Sequence, residues 1–195
     1  MLGSSLGILN LPISKCLITL RPKSILEYGC GEGKLGVLCS QLGLPVGKLA
    51  AVQKLFQDND RDNIISRGYT EVIDEDIKEY VARGIPERYE LIVAMDVIEH
   101  FFYGEAMSII DYSLYNCDNF LLVWPSRLAQ NFGDTHTLNR FDIHKTSFGL
   151  NEIVSRFEVI YYVKVSLPEY CGSGHYHLAL LRGHMNNRII PPPII

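Results

Sequence analysis

The chain has 195 residues, 47% of them hydrophobic and 21% charged, with a net charge of −4. That composition fits one ordinary globular core and excludes a disordered chain, and the acidic balance argues against nucleic acid as a partner, which calls for a basic face. No run of 18 apolar residues occurs, residues 1–5 carry no basic leader segment, and five cysteines (Cys16, Cys30, Cys39, Cys117, Cys171) lack paired spacing, so the expectation is a cytoplasmic protein with reduced thiols and no membrane span.

In chain order, residues 13–20 form an apolar, moderately helical stretch closed by Arg21-Pro22. Residues 24–28 read as a first strand, 34–42 as a helix, 46–53 as a second strand and 58–67 as a polar helix ending at Gly68. A short strand over 71–74 precedes a polar helix running to Ala82. Residues 91–95 are a continuous apolar run, the pattern of a central strand buried on both faces. A helix over 106–115 and a strand over 119–124, stopped by Pro125, follow. Residues 126–142 read as an insertion with little regular structure. A helix over 150–157 then leads to a hairpin of 158–165 and 176–181. The expected domain is 1–185, followed by a Pro-rich tail over 186–195. Strands separated by single helices imply a parallel sheet covered on both faces, with ligands at the carboxyl ends of its strands.

Chemistry concentrates first in Glu27-Tyr28-Gly29-Cys30-Gly31-Glu32-Gly33, where a strand ends in an acid and breaks into alternating glycines. Residues without Cβ let a ligand lie against the backbone. A P-loop would need glycine at position 28 and Ser or Thr at 35, but these are Tyr28 and Leu35; a dinucleotide fingerprint would need glycine at 34, which is Lys34. The remaining pattern, acid-x-Gly-x-Gly-x-Gly, resembles the first motif of class I S-adenosylmethionine (SAM)-dependent methyltransferases. Tyr89-Glu90-Leu91-Ile92-Val93-Ala94-Met95-Asp96-Val97-Ile98-Glu99-His100 resembles their fourth-strand motif, and Glu71-Val72-Ile73-Asp74-Glu75-Asp76-Ile77 their third. The likeness runs over about half the chain, residues 24–124.

The resemblance implies an α/β, Rossmann-like seven-stranded sheet, parallel with a C-terminal antiparallel hairpin and helices on both faces. It implies SAM as cofactor, held by Glu27, Gly29, Gly31, Gly33, Gln53, Asp76, Ile77 and Asp96, with Asp76 accepting from the adenine amino group and Ile77 packing on the ring. Gln53 departs from the pattern: the family usually has an acid there to grip both ribose hydroxyls, and Asp58 or Asp60 is an alternative holder. On the acceptor side the candidates for proton removal are His144 first and His100 second, with His136 also in that region. Related ubiquinone-pathway and small-RNA 2′-O-methyltransferases share the acid-x-x-Glu-His stretch and bind a divalent metal with it. Asp96, Glu99 and His100 fall on those positions; Gly104 replaces a further histidine of the ubiquinone enzymes, His144 is a candidate counterpart of the RNA enzymes' downstream ligand, and the expectation is no metal. The function so implied is O-methylation of a small molecule or glycan, the oligomeric state being open. The alternatives are a nucleic-acid or protein methyltransferase, or a degenerate SAM-binding relative without catalysis.

Overall fold

The computed structural model describes residues 9–55, 57, 60–126, 144–166 and 174–187. The elements are α1 (Asn10–Leu20), β1 (Ser24–Tyr28), α2 (Lys34–Gln41), β2 (Lys48–Val52), α3 (Asp60–Ser66), β3 (Glu71–Ile73), α4 (Ile77–Ala82), β4 (Tyr89–Met95), a 3₁₀ turn (Ile98–His100), α5 (Tyr103–Tyr115), β5 (Cys117–Pro125), α6 (Leu150–Val154), β6 (Val159–Ser166) and β7 (His175–Arg182). They build one seven-stranded sheet in the order β3-β2-β1-β4-β5-β7-β6. The pairs among β3, β2, β1, β4 and β5 are parallel, and β7 pairs antiparallel with both β5 and β6.

Alternation along the central strands splits the core in two. Leu26 and Tyr28 of β1 and Ile92 and Ala94 of β4 join α4, α5 and α6 on one face. Ile25, Leu91, Val93 and Met95 join α1 and α2 on the other. Covering both faces explains why β4 reads as unbroken apolar sequence instead of an alternating one. The strand order reverses between β1 and β4, and the crevice outside the carboxyl ends of these two strands is where open α/β sheets place their ligands.

Several ends differ from the sequence expectation. β4 begins at Tyr89 because its N–H donates to Asn116 O at 2.9 Å while Arg88 ties to Cys117 O and Asp118. α5 begins at Tyr103, where Glu105 reaches back to the N–H of Phe102. Helix α6 stops at Val154, and Phe157 turns into the core. Pro125 is the last residue of β5 and still pairs, opposite Tyr176, so the strand ends one residue later than expected. Of the expected insertion over 126–142, all but Ser126 lies outside the described residues, His136 included, as do Asp58, Cys171 and the tail from 188.

Candidate functional site

The chain leaves β1 through three glycines with left-handed backbone, φ being 63° at Gly29, 54° at Gly31 and 80° at Gly33. At Gly29 there is also no room for a side chain, since an added Cβ would stand 2.6 Å from Val97 Cγ2. The turn therefore packs directly on the segment that follows β4, and its amides are used internally, Gly29 N on Val52 O and Gly33 N on Cys30 O, both at 2.9 Å. A cavity of about 310 Å³ opens there, lined by Asn10, Glu27, Gly29, Gly31, Lys34 and Met95 among others.

Glu27 closes the floor of this cavity. Its carboxyl is 1% exposed and accepts the Tyr69 hydroxyl, and burial raises its pKa to about 7 against the opposing pulls of Tyr69 and Lys34. Lys34, at the start of α2, is the nearby cation: burial lowers its pKa, while Asp96 and Glu27 act to raise it. Gln53 follows β2 and turns its amide oxygen into the glycine turn, accepting from Gly31 N at 2.6 Å and from Cys30 Sγ at 3.5 Å. Its Nε2 is buried with no hydrogen-bond partner among the described residues. Asp60 instead accepts from Gln57 N and starts α3. Asp76 and Ile77 sit one strand further out: Asp76 caps α4 by accepting from Lys78 N at 2.8 Å, and Ile77 packs against the core. Neither lines the 310 Å³ cavity.

Asp96, directly after β4, is in the left-handed region, φ 55°, a conformation costly for a residue with a Cβ. Burial pushes its pKa up to about 6, against a hydrogen bond from Tyr176 and the charge of Lys34. Just beyond, Glu99 is 1% exposed, with neither carboxylate oxygen hydrogen-bonded among the described residues. Burial, reinforced by the charge of Asp96, raises its pKa well above the usual range.

His144 comes back to this point because the two peptide N–H groups after it, of Lys145 and Thr146, donate to Glu99 O at 2.7 and 3.2 Å. A few residues on, Trp124 Nε1 donates to Phe148 O at 3.0 Å and anchors the same segment to β5. The His100 and His144 rings meet edge to face with centroids 4.8 Å apart. Burial and the neighbouring His100 lower the His144 pKa to about 4, so its ring is neutral at pH 7. Ligand atoms of Glu99, His100 and His144 all lie within 4.8 Å of one another.

The structure thus brings Glu27, Gly29 and Gly31 around one cavity, with Gln53 fastened to its glycine turn, and sets His100 against His144 beside the tip of the adjacent strand. Asp96 belongs to the first group through Lys34 and does not join the cluster of Glu99, His100 and His144. Sequence reasoning missed Tyr69, Tyr176 and Asn10, and it noted Lys34 only for the motifs it breaks. Of these, only Lys34 had a local signal, its place directly after the glycines.

No protein-family model matches the sequence, nor does any curated protein. Solved structures do match. N-methyltransferase NodS from Bradyrhizobium japonicum WM9 is 13% identical with a TM-score of 0.60, over 91% of this chain and 97% of that one. Magnesium protoporphyrin IX methyltransferase (ChlM) from Synechocystis PCC 6803, with bound S-adenosylhomocysteine (SAH), is 13% identical with a TM-score of 0.61, over 89% and 81%. The methyltransferase domain of a bacterial Hen1 is 14% identical with a TM-score of 0.61, over 89% and 96%. The chain has the class I methyltransferase fold. The seven-stranded sheet, parallel with a closing antiparallel hairpin, that the resemblance implies is the one observed. No described helix is long and apolar enough to cross a membrane.

Proposed function

We propose that this chain is a SAM-dependent methyltransferase that methylates a hydroxyl group of a small molecule or glycan. The observation that carries the reading is the adjacency of two unlike half-sites: a glycine-walled cavity with buried acids and Lys34, and the paired imidazoles of His100 and His144 beyond the tip of β4. SAH or SAM is bound in structures of NodS and ChlM that share the fold, which supports the donor assignment. These neighbours differ in acceptor, NodS being an N-methyltransferase and ChlM a magnesium protoporphyrin IX methyltransferase, and it is the imidazoles of this chain that favour a hydroxyl.

In this reading an acceptor oxygen lone pair forms the new O–CH₃ bond, the S–CH₃ bond breaks, and its electron pair returns to sulfur to give SAH. The sulfonium is already an excellent leaving group, so the protein supplies alignment and takes the hydroxyl proton. His144 is unprotonated at neutral pH and receives that proton; His100 packs against it and stands next in line. Titration calorimetry with SAM and SAH, combined with transfer of a labelled methyl group to hydroxyl acceptors, tests the reading. His144→Ala is expected to keep SAH affinity and lose about 10²–10⁴-fold in turnover. Unchanged turnover removes His144 from the chemistry, and a parent protein that binds neither SAM nor SAH at millimolar concentration sinks the enzyme altogether.

One observation favours a second reading of the acceptor half. Glu99, buried with both oxygens unpartnered among the described residues, and the two imidazoles form a donor set suited to a divalent first-row metal. Such an ion would polarise the acceptor oxygen. Saturable binding of Mn²⁺ alone, lost in Glu99→Gln, distinguishes this reading from the metal-free one.

A further inference from the structure

Asp96 is the one non-glycine residue in left-handed backbone at the described site, and the partner that holds it comes from the far end of the chain. The sheet explains how. Met95 at the end of β4 stands opposite Val123 of β5, and the Asp96 N–H donates to Val123 O at 3.1 Å. Two residues beyond Val123, Pro125 is paired with Tyr176 of β7. Tyr176 is therefore level with the residues just past the tip of β4, where its hydroxyl reaches the Asp96 carboxylate. The backbone there is pinned: Ser126 N donates to His175 O at 2.7 Å, and His175 N donates to Ser126 Oγ at 2.9 Å.

That bond uses one carboxylate oxygen. The other, Oδ1, is buried and has no hydrogen-bond partner among the described residues. The Asp96 charge acts on both Lys34 of α2 and Glu99 of the 3₁₀ turn, and Lys34 and Met95, its chain neighbour, line the donor cavity. A carboxylate held by one oxygen and aimed by the other is a ready acceptor for a hydrogen-bonding cationic group.

We propose that Tyr176 is a positioning residue for the donor site, fixing Asp96 so that its Oδ1 receives a hydrogen bond from the ammonium group of the bound donor. The closing hairpin, which in the sequence looks like mere sheet completion, thereby contributes to cofactor affinity. This rests on the cavity being the cofactor site, the reading given above.

A double-mutant cycle read by SAH calorimetry tests it. Tyr176→Phe removes one hydroxyl and keeps the ring, and is expected to weaken SAH about tenfold, the worth of a hydrogen bond to an ionised group. Asp96→Asn is expected to weaken SAH more. In the Asp96→Asn background, Tyr176→Phe should then have no further effect, because the group it acts through is gone. The melting temperature of Tyr176→Phe should match the parent. Additive losses in the double variant, or an unchanged SAH affinity in Tyr176→Phe, overturn the proposal while leaving the donor site standing. Absence of SAH binding by the parent overturns both.

Discussion

A carboxyl buried as deeply as Glu27 ionises only at the expense of folding free energy. Its pKa rises from 4.5 in the unfolded chain to about 7 in the folded one, chiefly through burial. Between those values the folded state keeps the proton and the unfolded state does not. The contribution to stability is therefore full below pH 4.5 and is lost as pH rises through about 7. His144 works in the opposite sense, because its pKa is lowered to about 4, so the comparison must isolate Glu27. Urea unfolding of the parent and Glu27→Gln at pH 5 and pH 8 does so. The parent should lose about 2–3 kcal/mol relative to the variant over that interval, and parallel pH profiles would show that Glu27 is not proton-linked. Gln53 offers a second test by single substitution. Its oxygen is committed to Gly31 N, which leaves the ligand only the buried Nε2, a donor. Gln53→Glu keeps the acceptor for Gly31 and replaces the donor with a second acceptor for a ribose hydroxyl. SAM affinity should strengthen by on the order of 1 kcal/mol, and calorimetry finding it unchanged or weaker would place the ribose elsewhere.

The turn from β1 to α2 and the return of 144–149 to the sheet show how differently two site-forming segments are written. The turn is local: an apolar strand, an acid and alternating glycines state their own geometry, and the left-handed φ values follow. Gly31→Val puts a β-branched side chain at φ 54°, straining the backbone by about 1–3 kcal/mol and obstructing the cavity wall. Calorimetry should find SAM binding abolished while circular dichroism reports a folded sheet; retained binding would move the cofactor off the turn. The segment at 144–149 is held by backbone amides on Glu99 O and by an indole N–H on a peptide carbonyl. Such bonds leave no pattern in the residues that make them. His144 was legible as a candidate, and its place beside Glu99 and His100 was suggested only by the resemblance to the RNA enzymes, not by the residues that hold it there. Tyr69 on Glu27, 42 residues apart, and Tyr176 on Asp96 left no such signal. Strand centres were readable because burial on both faces demands unbroken apolar sequence. Their ends shifted because long-range groups such as Arg88 and Asn116 set them.

The molecule couples these pieces around one sheet: Lys34 of α2 and Tyr176 at the start of β7 both act on Asp96 at the tip of β4, so groups far apart in the chain meet at one carboxylate. Binding to the folded state alone stabilises it by mass action, with a size set by ligand concentration over dissociation constant. At 100 times that constant the gain is about 2.7 kcal/mol. In a chain of 195 residues each kcal/mol raises the melting temperature by about 2–4 °C. SAH at that excess should therefore raise the melting temperature by roughly 5–10 °C. The shift locates binding as well as detecting it. His144→Ala touches only the acceptor half and should show the parental shift, whereas Gly31→Val should show none. A shift that survives Gly31→Val, or that vanishes in His144→Ala, would mean that the two half-sites are not divided as the sheet divides them.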